Sequence, residues 1–129
     1  MTQEDKSLLL KDLCARLPYK VICKLSMDGA EITEQLKIGG LSNFIHGILN
    51  VKPYLRPMSS MTEEEMKKYH SYCECDDGDF TGEILYFDTI ESFDYLNSIH
   101  VDYRNLIPLG LAIEVTEENN PYENYDNIS

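Results

Sequence analysis

The sequence contains no tryptophan and is short of cations, with 11 Lys and Arg against 23 Asp and Glu among its 129 residues. The shortage lies downstream: residues 61–129 hold three basic and seventeen acidic residues, a balance of −14, whereas residues 1–60 hold eight and six, a balance of +2. Nucleic-acid phosphates need Lys and Arg to replace their counterions, so direct binding of DNA or RNA is disfavoured. A basic protein partner, carboxylates that imitate phosphate, and a surface that only confers solubility all fit this charge.

Long apolar runs are also missing. None approaches the roughly 18 to 20 residues that cross a bilayer, so we expect no membrane association. The opening stretch MTQEDKSLLLKDLC places acids and lysines where a signal peptide needs an unbroken apolar core. We therefore expect a cytoplasmic protein, in which the four cysteines remain thiols.

Catalytic and phosphate-binding motifs are absent from the sequence. The glycine pair in KIGGLSN lacks the Lys-Ser/Thr of a P-loop and the spacing of a dinucleotide-binding loop. His46, His70 and His100 belong to no recognisable set of nucleophile, base and orienting group. The sequence therefore predicts neither enzymatic activity nor a cofactor.

The first forty residues predict a helix followed by a hairpin. Apolar residues recur at three- and four-residue spacing before Pro18, at Leu9, Leu10, Leu13, Cys14 and Leu17. Two alternating segments then flank Asp28-Gly29, a strong signal for a two-residue hairpin turn. This loop length places Met27 opposite Ala30, and it also places Glu34 opposite Cys23, on an otherwise apolar face.

Downstream, residues 41–51 predict a third strand. Residues 52–60, with two prolines, predict a loop or an extended connector. Two overlapping capping boxes, Ser60 with Glu63 and Thr62 with Glu65, predict a helix that ends at about residue 72. Asp88, paired with Glu91, predicts another helix that ends at about His100. Residues 82–87 and 111–115 are expected to form strands. The predicted fold is α+β: a small antiparallel sheet built on the N-terminal β-hairpin with three helices packed on it. It forms one domain over residues 1–115, with a flexible acidic tail over residues 116–129.

The acidic stretch SYCECDDGDF, residues 71–80, suggests a possible metal site. His70, Cys73, Cys75 and Asp76 are residue types that bind zinc. A structural zinc site usually has two separated pairs of ligands, and no second pair follows. The acids also miss the spacing of an EF-hand loop. An acidic turn explains the stretch without an ion, and a small metal-binding protein or enzyme stays open as an alternative.

Nine tyrosines stand beside the missing tryptophan, and most of them lie in the acidic half. Tyrosine is favoured at protein interfaces because it buries a large ring at low entropic cost and keeps a polar tip. Several of these rings are equally suited to fill the core. The residues that we expect at an interaction surface are Glu63, Glu64, Tyr69, Tyr72, Asp76, Asp77, Asp79, Tyr95 and Tyr103.

Three segments, LLLKDLCARLPY, YLRPMSSMTEEE and SFDYLNSIHVDYRNLIPLGLAIEV, resemble a group of small uncharacterised proteins from gut Bacteroides-type bacteria and their phages and mobile elements. The resemblance implies an origin and a cytoplasmic setting, and it carries no activity, cofactor or site residue. The leading interpretation is a non-enzymatic protein-protein interaction module that binds a protein with a basic surface. The alternative is a phage-encoded inhibitor of a host defence or nucleic-acid-binding machine that acts by mimicry of nucleic acid.

Overall fold

The computed structural model describes residues 1–76, 82 and 84–126, with the backbone alone for residues 124–126. Asp77 and Asp79, two of the expected interaction residues, lie outside this range. The described helices are α1 (Gln3–Arg16), α2 (Ile38–Ile45), α3 (Glu63–Tyr72), α4 (Ile90–Ser98) and α5 (Pro121–Asp126). The strands are β1 (Ile22–Met27), β2 (Ala30–Gln35), β3 (Asn50–Pro57), β4 (Glu74–Asp76), β5 (Leu85–Phe87), β6 (Val101–Asp102) and β7 (Ile113–Glu114). The α+β class is confirmed, with five described helices instead of three.

Helix α1 begins at a capping box. The Thr2 hydroxyl accepts a hydrogen bond from the Asp5 N–H, and the Asp5 carboxylate accepts one from the Thr2 N–H. The buried stripe of the helix runs through Leu9 and Leu13, as its spacing predicts. Cys14 is exposed, so its expected place on that stripe is wrong, because it lies one position around the helix from Leu13.

The N-terminal hairpin has the predicted register. Met27 pairs with Ala30, and Cys23 pairs with Glu34, which is only partly buried. Asp28 and Gly29 both have positive φ, 49° and 85°, as a type I′ turn requires. The hairpin is therefore the element that the sequence predicts most completely.

The prediction of a third strand over residues 41–51 is wrong, because residues 41–45 belong to helix α2 and only residues 50 and 51 lie in a strand, at the start of β3. Leu41 and Phe44 face the core at helical spacing. The pattern was obscured by Ile38, Ile45 and Ile48, which are apolar yet exposed.

Residues 52–60 were expected to form a loop or an extended connector. Most of this segment is extended, but it is a paired strand, β3, at the centre of the sheet, and not a connector. Pro53 pairs with Cys23 of β1. Its missing N–H faces the other neighbour, since the Leu55 carbonyl, two residues on, accepts from the Val115 N–H on that side at 2.8 Å. Pairing with β7 begins only at Tyr54, so Pro53 interrupts no rung of that ladder.

The five-stranded sheet is mixed, which corrects the expected antiparallel arrangement. Its order is β2-β1-β3-β6, and β7 also pairs with β3. Strand β3 is antiparallel to β1 and parallel to β6 and β7. The chain between β3 and β6 includes α3 and α4, and a crossover of that length lets a strand return in the same direction. Strands β4 and β5 form a separate antiparallel hairpin, so the predicted strand around residues 82–87 does not join the main sheet.

The core lies on the sheet face that carries Cys23, Leu25, Val51 and Leu55, with α1 packed against it. Burial raises the pKa of the Cys23 thiol, which stays protonated at neutral pH. No helix in the described part of the chain is long and apolar enough to span a membrane.

Tyr122 of α5 contacts the sheet, although we expected residues from Thr116 onwards to have little to bury. Its hydroxyl accepts a hydrogen bond from the Ile22 N–H at 3.1 Å and donates one to the Tyr54 carbonyl at 2.7 Å. Because Cys23 pairs with Pro53, Ile22 and Tyr54 are the next pair along, and the hydroxyl bridges them. The ring stacks on His100 at 3.9 Å between centroids, and burial lowers the pKa of that imidazole to about 4. Flexibility of residues 116–129 as a whole stays a prediction.

Candidate functional site

Helices α3 and α4 and the β4–β5 hairpin, together termed the acidic surface, contain most of the expected interaction residues. The Thr89 hydroxyl at the start of α4 donates to the Tyr72 carbonyl at the end of α3 at 2.6 Å. Glu63 and Glu64 are exposed in the first turn of α3, where their negative charge interacts favourably with the helix dipole. Further acids lie elsewhere, at Glu114, Glu117, Glu118 and Glu123. The charge of the second half is therefore divided between the acidic surface and the C-terminal segment.

Arg56 of β3 fixes α3 to the sheet through Glu65. Its two terminal nitrogens donate to the two carboxylate oxygens of Glu65 at 2.8 and 2.7 Å. Glu65 also accepts from the Thr62 N–H, which completes the capping box that the sequence predicts for this helix. Hydrogen bonds from Arg56 lower the pKa of Glu65 to about 2. This carboxylate has a structural role and is not available to a partner.

Replacing Glu65 by glutamine is expected to lower the free energy of unfolding by about 1 to 2 kcal/mol at pH 7, because Arg56 loses its bidentate partner. The folded pKa lies below the ordinary value of 4.5, so the stabilisation is complete above about pH 4.5 and is lost as the pH falls through 2. Urea denaturation between pH 7 and pH 2 should give a difference between wild type and variant that shrinks in acid. A difference independent of pH would contradict this role.

Tyr69 and Asp88 join α3 to the start of α4. The Tyr69 hydroxyl donates to the Asp88 carboxylate at 2.5 Å, and the Ser92 hydroxyl donates to the same oxygen at 3.0 Å. Burial and the Asp88 carboxylate raise the pKa of Tyr69. The prediction that Asp88 caps α4 is wrong. Thr89 caps this helix, in a capping box with Ser92. Tyr69 is thus partly committed to internal bonding.

Tyr72 and Tyr95 lie side by side on α3 and α4, with ring centroids 5.6 Å apart. The Lys68 ammonium lies over the Tyr95 ring, 5.6 Å from its centroid. Both tyrosines are partly buried and line an open groove. Both are among the expected interaction residues and lie close together in the structure, and their role in binding stays a prediction.

Tyr103 is in a different environment from the other expected interaction residues. Its ring lies between the guanidinium groups of Arg16 and Arg104, whose central carbons are 5.3 and 5.0 Å from the ring centroid. Its hydroxyl donates to the Asn97 side chain at 3.0 Å. The ring therefore contacts the buried Arg16 and the partly exposed Arg104, which both pair with Asp12, and no local sequence pattern indicates this contact.

The β4–β5 hairpin carries a feature that the sequence analysis missed. Glu74 pairs with Phe87, and Asp76 pairs with Leu85, so these four side chains share one face. The opposite face carries Cys75 and Tyr86, and the Tyr86 ring stacks on His70 of α3 at 3.8 Å. Leu85 and Phe87 are 48% and 52% exposed. The outer face therefore combines two exposed apolar side chains with two carboxylates.

A sequence signal for this face existed. Ile84 to Phe87 are four consecutive apolar residues between acidic segments, and this pattern predicts only a short strand. An apolar run of this length does not by itself reveal which side chains lack cover.

The weak metal candidates do not assemble among the described residues. His70 is engaged with Tyr86, while Cys73 is partly buried and Cys75 is exposed. Within residues 1–76, 82 and 84–126 there is no group of three or more His, Cys, Asp or Glu side chains that could hold a metal ion. Nothing in this part of the chain supports the zinc alternative.

Comparison with known proteins gave no match to a protein-family model, to a curated protein or to a solved structure.

Proposed function

We propose that this chain is a non-enzymatic protein-binding module whose partner presents a basic and partly apolar surface. The observation that carries the proposal is the outer face of the β4–β5 hairpin, where Leu85 and Phe87 stand half exposed beside Glu74 and Asp76. Apolar side chains surrounded by charge are typical of contact surfaces between proteins. The resemblance described above favours a cytoplasmic setting in a bacterium, within a phage or mobile element.

The construction of the hairpin supports the same proposal. A two-stranded sheet is marginally stable by itself, and in the described residues β4 and β5 pair only with each other. Tyr86 holds one face against His70, which leaves the face with Leu85 and Phe87 outward. A partner that covers this face would remove apolar surface from water, which is favourable by about 25 cal/mol per Å².

Nucleic-acid mimicry is the second candidate, and the balance of seventeen acids against three basic residues in the second half favours it. Mimicry requires carboxylates that are free to imitate phosphates. Glu65 is paired with Arg56, and Asp102 accepts hydrogen bonds from the backbone of residues 104, 106 and 107. These internal roles, together with the exposed apolar pair, support a mixed interface over one made of charge alone.

Replacing both Leu85 and Phe87 by serine is expected to weaken partner binding at least tenfold, because truncated apolar anchors at interface centres typically cost 2 kcal/mol or more. Affinity capture from a lysate of cells that carry the gene, followed by titration of the purified partner, measures the loss. The matched control replaces Met27 and Ile32 by serine, two side chains on the N-terminal hairpin that are 48% and 51% exposed.

The control is expected to keep full affinity. Equal losses in both double variants, or no loss in the Leu85/Phe87 variant, would contradict the proposal. Raising the salt concentration separates the two candidates: a charge mimic releases its partner steeply, whereas a contact with an apolar centre weakens little.

A further inference from the structure

We propose that the groove between α3, α4 and the turn at Tyr19 binds the guanidinium group of an arginine side chain. This inference deepens the proposed function, on which it rests, because it names the group that the partner's basic surface presents. The site is distinct from the outer face of the hairpin, since neither Leu85 nor Phe87 lines it.

Aromatic rings supply the first part of the argument. The groove has a volume of about 580 Å³, and Tyr19, Tyr72 and Tyr95 line it. The rings of Tyr72 and Tyr95 are tilted by 42° with 5.6 Å between their centroids, so they pack against each other and form one aromatic side of the open groove. The negative face of an aromatic ring attracts a cation that lies within about 6 Å of the centroid.

Lys68 shows that one of these rings accepts a cation. Its ammonium nitrogen lies 5.6 Å from the Tyr95 centroid, at the groove itself. The Lys68 side chain is exposed and is free to turn away into water. A guanidinium is planar and less strongly hydrated than an ammonium. An arginine from a partner is therefore better suited to the groove than Lys68.

Carboxylates supply the charge that an arginine needs. Glu91 and Asp94 of α4 line the same groove and are exposed. Against Lys68 they leave the lining with a net charge of −1, which becomes −2 once the lysine turns outward. A side chain that pairs with one carboxylate while it stacks on a tyrosine gains from both interactions.

Titration of the purified protein with N-acetylarginine amide, followed by amide NMR shifts, tests the site directly. N-acetylcitrulline amide serves as the neutral ligand of the same shape. We expect the arginine amide to shift signals of Tyr72, Tyr95 and Ser98 with a dissociation constant of about 1 to 10 mM at low salt, and the citrulline amide to shift none of them. Equal shifts with both ligands, or none with either, would overturn the proposal.

Two variants make the test specific. Replacing Glu91 by glutamine and Asp94 by asparagine should lower the affinity for the arginine amide about fivefold. The same change of charge at Glu117 and Glu118 should leave this affinity unaltered. Replacing Lys68 by methionine should tighten binding, because the internal competitor is removed. Weaker binding in the Lys68 variant, or equal losses in the two acid variants, would count against the groove.

Failure of this inference is distinguishable from failure of the proposed function. If the Leu85/Phe87 variant loses the partner while the groove binds no arginine amide, the hairpin face stands and the groove is excluded. If the groove binds the arginine amide while the hairpin variant retains the partner, the arginine site stands and the hairpin face is excluded.

Discussion

Replacing Asp12 by alanine is expected to destabilise the protein by about 3 to 5 kcal/mol, because it leaves the buried cation of Arg16 without its carboxylate. Both side chains are fully buried. The Arg16 Nε donates to Asp12 at 2.8 Å, and its Nη2 donates to the Val101 carbonyl at 2.7 Å. Denaturation in urea at pH 7 measures the loss.

The double variant Asp12→Leu with Arg16→Met is the informative control. Apolar side chains of similar volume often replace a buried ion pair at little cost. The Val101 carbonyl loses its donor in this variant, which limits the recovery by about 1 to 3 kcal/mol. We therefore expect the double variant to be more stable than Asp12→Ala. A double variant that is equally unstable would show that the unpaired charge of Arg16 is not the main cause of the loss, because both variants also remove the contact of Asp12 with the Arg104 Nε at 3.3 Å.

Replacing Tyr122 by phenylalanine is expected to cost about 2 kcal/mol, which makes it the second-largest effect. The variant keeps the ring that stacks on His100 and removes only the hydroxyl between the Ile22 N–H and the Tyr54 carbonyl. Each backbone group left without a partner costs about 1 to 3 kcal/mol, and closer approach of the two strands recovers part of the loss.

Thermal unfolding measures the overall cost of Tyr122→Phe, and amide hydrogen exchange at Ile22 reports on the bridge itself. We expect faster exchange at Ile22 in the variant. Tyr86→Phe is the matched control, since Tyr86 is 44% exposed, and its effect should stay within about 0.5 kcal/mol. Unchanged exchange at Ile22 would contradict the bridging role of the hydroxyl.

Local signals explain what the sequence predicts well. The turn at Asp28-Gly29 and the capping box of Thr62 are short-range interactions between neighbouring residues, and both appear in the structure. The contact between Tyr72 and Tyr95 was not predicted, because it depends on how α3 packs on α4, and the sequence predicts the two helices but not their packing.

The errors arise where a distant contact decides the outcome. Pro53 is tolerated in a central strand only because its N–H side faces a stretch where β7 has not yet begun to pair, which no local pattern reveals. The sequence places Tyr122 in a polar tail. In the structure its hydroxyl forms hydrogen bonds with two strands that lie about 70 and 100 residues earlier in the chain. Likewise, Leu85 and Phe87 were predicted to form a strand, but their exposure depends on packing elsewhere in the fold.

The position of β3 has a consequence for the order in which the chain assembles. Its first residues pair with β1, which precedes it closely in the sequence. Its last residues pair with β6 and β7, which both follow residue 100. Contacts of such long sequence separation form slowly because a large loop must close first. During synthesis, the N-terminal hairpin can therefore form early, but the edge of β3 stays uncovered until the last strands leave the ribosome.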